Sequence, residues 1–440
     1  MKITRKPLVL GGIMLAWLSF CGFTVVAPLS AQQPSTRHVP DPDRELKLLL
    51  QQGQDALDQK NYQAAASAYQ KYLEKRPDDA YGHFQLGYAY TALGRRADAR
   101  EEYGKAATLN PRMAEAQMNY GLALLEENPS AAIEPLRTSA ALQPAEPRPR
   151  FLLGWALERS NQPAAAIAEY RQAEKLGAKD FDIHFALART LLASNQAADA
   201  EPEFRAALVL KPDSPPAHLG LGESLIAQKK MEPAASELAE YLKSQPDDAQ
   251  TRIQHASVLA DLGKNDDALV ELDRAGPAAA KSLPALKLRS EMLLQLKNYP
   301  QAAQALQSAI TLEPQNAALH AQLGHAFLKM KNYPDASREL AVALHIAPGD
   351  SDALRDWISA SYLAGNYDAA LAGLDQLEKQ EKSTDAIWFL RAECYDKLGK
   401  KPQALEAYQK FLAIHLGTND DEYFAATERV RELSRGAKRK

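Results

Sequence analysis

Residues 80–111 read AYGHFQLGYAYTALGRRADAREEYGKAATLNP. The stretch divides at Gly94 into two short amphipathic segments. In the first, Leu86, Gly87 and Tyr90 share a helical face at i, i+1 and i+4. In the second, Ala99, Tyr103 and Ala106 recur at i, i+4 and i+7, and Pro111 closes the unit. Neither helix carries enough apolar surface to be stable alone, so the pair has to stack on something like itself.

The chain supplies the stack. With Ala80 as position 1, units begin at Leu46, Ala80, Ala114, Pro147, Phe181, Pro215, Ala249, Leu283, Ala317, Ser351 and Asp385, in steps of 34 residues except for a third unit that is one shorter in its turn. A fixed period of this length is the mark of a helical solenoid.

Within the period, single positions repeat. Position 8 is Gly53, Gly87, Gly121, Gly154, Ala188, Gly222, Ala256, Ser290 and Gly324, and position 20 is alanine from Ala65 and Ala99 through Ala404. Closing prolines stand at Pro77, Pro111, Pro144, Pro212, Pro246, Pro314 and Pro348. This pattern resembles the tetratricopeptide repeat (TPR) family, over Leu46 to about Thr418. The resemblance implies an all-α, right-handed superhelical solenoid of about eleven helix-turn-helix units with a C-terminal capping helix.

Physical reasons stand beside the resemblance. Small residues at positions 8 and 20 let the two helices approach, and larger ones at position 24 fill the next layer. Pro163, Pro300, Pro334 and Pro402 fall at the start of second helices, where a missing N–H does no harm. Pro135 and Pro202 lie deeper, and a kink or late start is expected there. Irregularity is also expected where the seventh unit ends in Gly276 and Pro277, and where the tenth has Ile358 at position 8.

The chain has 440 residues, a net charge of −4 with acids and bases interspersed, and two cysteines. No basic field for nucleic acid exists. With Cys21 in the leader and Cys394 alone, neither a disulfide nor a Cys-based metal site is expected in the processed chain.

Lys2, Arg5 and Lys6 precede an uncharged apolar run from Leu8 to Val26, and Ala31 stands before Gln32 as a cleavage point. This is the grammar of a secretory signal over residues 1–31. Leu29, three residues before that point, is larger than ideal, so an uncleaved anchor formed by residues 8–26 is the alternative. Phe20 argues against a lipoprotein site at Cys21. Residues 32–45 are polar and Pro-rich, a linker. Residues 46–418 are the solenoid. The last part, 419–440, reads as a capping helix with Phe424, Val430 and Leu433 on its apolar face, followed by a basic tail.

A search for catalysis finds no His-Glu-x-x-His, no phosphate-binding glycine loop and no nucleophile elbow. His83, His184, His218 and His320 all fall at position 4. They are read as flat rings packed between units, with a metal role as the alternative. The pairs Asp78-Asp79, Asp247-Asp248 and Asp266-Asp267 are read as helix-start acids, and Cys394 as a buried, inert thiol. No metal, cofactor or enzymatic activity is expected.

In the TPR family the first helices line a concave face, and positions 2, 5, 9 and 12 point into it. Carried over residue by residue, this places Tyr81, Phe84 and Tyr88, then Met118 and Leu122, Phe151 and Trp155, and Phe185 and Leu192 in a stripe over four units. Farther on, Glu223, Lys287, Glu291, His325, Arg355 and Glu393 take equivalent places. The stripe is either packed between units or a surface for a peptide or helix. The carboxylate clamp of chaperone-binding relatives needs Lys or Arg at position 5 with Asn at position 9. Here Lys287 is followed by Glu291 and Arg355 by Ser359, so the clamp is not assembled.

The expectation is a non-catalytic scaffold for protein or peptide partners in the periplasm or cell envelope. A component of a polysaccharide export or outer-membrane assembly system is the alternative. No Asn-x-Ser/Thr acceptor occurs, which leans towards a bacterial source.

Overall fold

The structure, a computed structural model, describes residues 43–177, 179–380, 382, 384–416 and 421–437. The leader, Cys21, most of the linker and the end of the basic tail lie outside the described residues. The chain forms two compact units, Met1–Pro77 and Asp78–Lys440. The described part of the first is one hairpin of helices, Arg44–Asp58 and Tyr62–Lys75. Helix therefore starts two residues before the expected solenoid boundary.

The second unit is a run of ten helical hairpins and a last helix, Asp421–Ala437, with no strand among the described residues. Residues 80–111 show the plan that most of these hairpins follow. Asp79 accepts hydrogen bonds from the amides of Tyr81 and Gly82 and starts the helix Ala80–Ala92, and the partner helix is Arg96–Leu109. Asp180, Asp248, Asn316 and Asp350 cap later first helices in the same way. Asp266 and Asp267 instead sit inside the first turn of Asn265–Arg274, where they meet the positive end of the helix dipole.

The first helix ends on a left-handed residue at position 15. Gly94, with φ +74°, lets the amide of Arg95 bond back to the carbonyl of Tyr90 at 2.9 Å. Gly263, Gly365 and Gly399 repeat this, but Lys229, Lys297 and Lys331 hold the same position at φ +57° to +60°. The shortened third unit replaces this turn by residues 125–128, between Ala114–Leu124 and Pro129–Leu142.

Positions 8 and 24 interlock. A Cβ added to Gly87 would fall 2.8 Å from the Tyr103 ring, one on Gly154 2.7 Å from Tyr170, and one on Gly324 2.5 Å from Leu340. Glycine thus lets a ring or a leucine lie against the first-helix backbone, with Tyr170 fully buried. The alanines at position 20, including Ala132, Ala166 and Ala200, are buried without exception from Ala65 to Ala404.

Three expectations are corrected. Pro135 and Pro202 lie inside unbroken helices, Pro129–Leu142 and Ala197–Leu210, so neither starts late. Each proline forfeits one backbone bond, while burial of Ala132, Leu136 and Ser139, or of Ala200, Phe204 and Ala207, holds the turns on either side. The tenth unit is regular at Ile358, because Gly373 opposite leaves room for it; its departure comes later, in a second helix that stops at Glu378. In the last helix, Phe424 is 56% exposed, and Ala426 takes its place in the contact beside Leu433 and Val430. The seventh unit breaks as expected: Asn265–Arg274 is short, Gly276 has φ +58°, and a single turn, Pro277–Ala280, follows.

Candidate partner-binding face

First helices of successive hairpins touch one another: Pro147–Arg159 meets Phe181–Ala193, which meets Pro215–Ala227, and Ala317–Lys329 meets Ser351–Leu363. Second helices pack first on the first helix of their own hairpin and next on the first helix that follows. Where these contacts are made, first helices stand side by side along the second unit.

The residues of the stripe are carried by four first helices, Ala80–Ala92, Ala114–Leu124, Pro147–Arg159 and Phe181–Ala193. Tyr81 is 46% exposed, and Phe84, Tyr88, Met118, Leu122, Phe151, Trp155, Phe185 and Leu192 are half-buried. Each position 5 ring rests on the position 24 ring of its own hairpin: Phe84 on Tyr103 at 5.8 Å between centroids, Phe151 on Tyr170 at 5.8 Å, Phe185 on Phe204 at 6.1 Å. Both readings hold in part: Phe84, Phe151 and Phe185 are packed on a core ring at one edge and remain partly exposed at the other, whereas Tyr81 is exposed. Anchoring fixes the rings at little further entropy cost to a partner.

Sequence reasoning missed a polar ladder. Arg189 at position 9 donates to Glu158 at position 12 of the preceding hairpin at 2.9 Å, and the Tyr170 hydroxyl donates to Glu158 at 3.0 Å. His325 pairs with Asp356 at 2.7 Å, and the Tyr362 hydroxyl donates to Glu393. Burial and the Glu393 carboxylate both raise the Tyr362 hydroxyl, which stays protonated. Lys287 is held by Glu313 at 3.0 Å and Arg355 by Asp352 at 3.1 Å. Much of the charge in the C-terminal half is thus matched within the protein, and the two basic residues at position 5 are already on acids. Glu223 and Glu291 occupy the remaining equivalent places, both outside the aromatic half.

The position 4 histidines are more than packed rings. His83, His184, His218 and His320 each place Nδ1 2.5–2.8 Å from a glutamate 19 residues on: Glu102, Glu203, Glu237 and Glu339, all at position 23. Nε2 of His218 and His320 reaches the carbonyl of the preceding closing proline, Pro212 at 2.8 Å and Pro314 at 3.0 Å. Arg252 makes the same two bonds, to Glu271 at 2.6 Å and Pro246 at 2.8 Å, and Arg150 pairs with Glu169 at 3.1 Å. Where position 4 is Leu286, Leu354 or Trp388, position 23 is Ala305, Gly373 or Ala407. The two positions change together within one chain, and that co-variation was the signal available. Beside one pair, Glu174 faces Glu203; burial first, then that carboxylate, raises the Glu174 carboxyl.

The remaining chemistry is quiet. Cys394 is fully buried, and burial pushes its thiol up to about 12. Among the described residues, no helix is long and apolar enough to cross a membrane.

Two tetratricopeptide repeat models match the chain, one over residues 191–254 and 293–355, the other over 50–109, 84–147, 126–181 and 356–417. The protein belongs to the tetratricopeptide repeat family, whose members are generally non-catalytic scaffolds for protein contacts. Similar solved structures include MamA (41-end) from Desulfovibrio magneticus, 22% identical, covering 39% of this chain and 97% of that one at a TM-score of 0.37. YrrB, described as a TPR protein with an unusual peptide-binding site, is 21% identical over 42% of this chain and 97% of its own, at 0.39. A TPR protein from Parabacteroides merdae is 17% identical over 58% and 98%, at 0.37. No curated protein is similar enough in sequence to count as a relative.

Proposed function

We propose that this chain is an exported, non-catalytic scaffold that binds a protein partner, as an extended peptide or a helix, on the face formed by its first helices. The site is the N-terminal half of that face: Tyr81, Phe84, Tyr88, Met118, Phe151, Trp155 and Phe185. One observation carries the reading. Along four successive hairpins, Phe84, Phe151 and Phe185 are packed on a core ring at one edge and partly exposed at the other, with Met118 in the intervening place, the arrangement of a pre-organised apolar surface. The leader supports an extracytoplasmic location in the periplasm or cell envelope, either free after cleavage or held by residues 8–26.

The test is a pull-down from envelope extract with wild-type protein against a Phe84→Ala, Trp155→Ala variant. Loss of a specific protein from a folded variant supports the site. A protein held equally by both moves the site to the charged half or another face. No protein captured, with glycan retained, favours the polysaccharide-export reading instead.

A further inference from the structure

Position 28 is apolar before every other position 4–position 23 ion pair from the fourth hairpin on: Ala140, Leu208, Leu242 and Ile310 stand there before Arg150, His218, Arg252 and His320. Before His184 it is Glu174. The repeat needs no acid at this place, since the His–Glu pair forms without one in the sixth and ninth hairpins.

Glu174 lies on Pro163–Leu176, His184 on Phe181–Ala193 and Glu203 on Ala197–Leu210, so three consecutive helices converge. One ligand atom from each lies within 4.8 Å of the others, His184 is buried, and both glutamates are half-buried. We propose that Glu174, His184 and Glu203 form a binding site for a first-row divalent transition-metal ion of the Zn2+ type, at the seam of the fourth and fifth hairpins.

The donor set fits that ion. One imidazole nitrogen and two carboxylates are ordinary zinc ligands, and three protein ligands leave a position for water. Ligands on a tetrahedral ion with bonds of about 2.0–2.1 Å stand roughly 3.4 Å apart. His184 Nδ1 and Glu203 Oε2, now 2.6 Å apart across a hydrogen bond, must open, and Glu174 must swing inwards. Both are side-chain movements on fixed helices. The ion takes a lone pair of His184, so a proton there leaves for the solvent and binding weakens in acid. A bound ion would tie the two hairpins together across their seam.

The experiment is calorimetric titration of the untagged, chelator-treated full chain with ZnCl2, in two buffers of different ionisation enthalpy. The expected result is one saturable site, a buffer-dependent heat that reports proton release, and a raised melting temperature. Glu174→Gln should weaken binding at least about tenfold. Glu174→Leu, which restores the apolar residue of the other seams, should fold and abolish it. The pair His218→Leu with Glu237→Ala should leave it unchanged. No saturable binding by wild-type protein, or equal affinity in both Glu174 variants, overturns the site and leaves a proton as the cation between these groups.

Discussion

Ile358 packs against Gly373, where a Cβ would stand 2.6 Å from Ile358 Cγ1. The small residue at position 23 makes room for an isoleucine at position 8, while position 24 keeps the buried Leu374, so the stack is not broken. Gly373→Ala should overpack the contact and lower stability by about 1–3 kcal/mol. Ile358→Ala should cost about 2–4 kcal/mol through the cavity it leaves. The double variant should lose less than the sum of the two, measured by urea denaturation.

The position 20 alanines admit no enlargement. Ala99 is 3% exposed and Ala302 fully buried. Ala99→Leu or Ala302→Leu should each cost about 1–3 kcal/mol, while Leu109→Ala on an exposed site should change the urea midpoint little.

The left-handed turn gives a prediction of opposite sign at equivalent sites. Gly94→Ala forces a side chain into φ +74° and should cost about 1 kcal/mol. Lys331→Gly at φ +60° relieves that strain and should leave stability equal or raise it by up to about 1 kcal/mol. Thermal unfolding of the two variants checks the pair.

Acid should loosen the fifth and sixth hairpins through Glu201. A hydrogen bond from Lys230, with others from Arg205 and Gln228, outweighs desolvation and holds its carboxyl down at about 2. The unfolded carboxyl titrates near 4.3. Because the folded value is depressed, the stabilisation is fully present above the unfolded value and is lost as pH falls from about 4 towards 2. Glu201→Gln should be less stable than wild type at neutral pH, and the two should converge near pH 2 in circular-dichroism melts.

The fold was legible because its rule is repetitive. The 34-residue step, the glycines at position 8 and the alanines at position 20 each state the same close helix approach, and the structure shows Gly87 beneath Tyr103 and Gly324 beneath Leu340. Capping was legible at Asp79 and Asp248, since an acid before a helix has a direct backbone partner. Lys229 and Lys331 were not legible as left-handed residues, because lysine carries no conformational mark and the neighbouring hydrogen bonds decide its φ. Proline misled in the other direction: at Pro202 tertiary burial outweighed a local preference. The histidines were read as packed rings, which leaves out their ion-pair partners. Their partners lie 19 residues away on a different helix, so no single-helix periodicity exposes Glu203 or Glu237. Of the face, the identity of its residues was readable, but not their half-burial, which depends on the ring at position 24.

The most direct test of the proposed binding face is photo-crosslinking with p-benzoylphenylalanine placed at Tyr81 or at Trp155, compared with Val209, which is 80% exposed on a second helix. Expressed in its own host, the protein should yield the same partner adduct from the first two positions and none from the third. An adduct from Val209 with none from Tyr81 or Trp155 would contradict the account and place the partner on the opposite side of the stack.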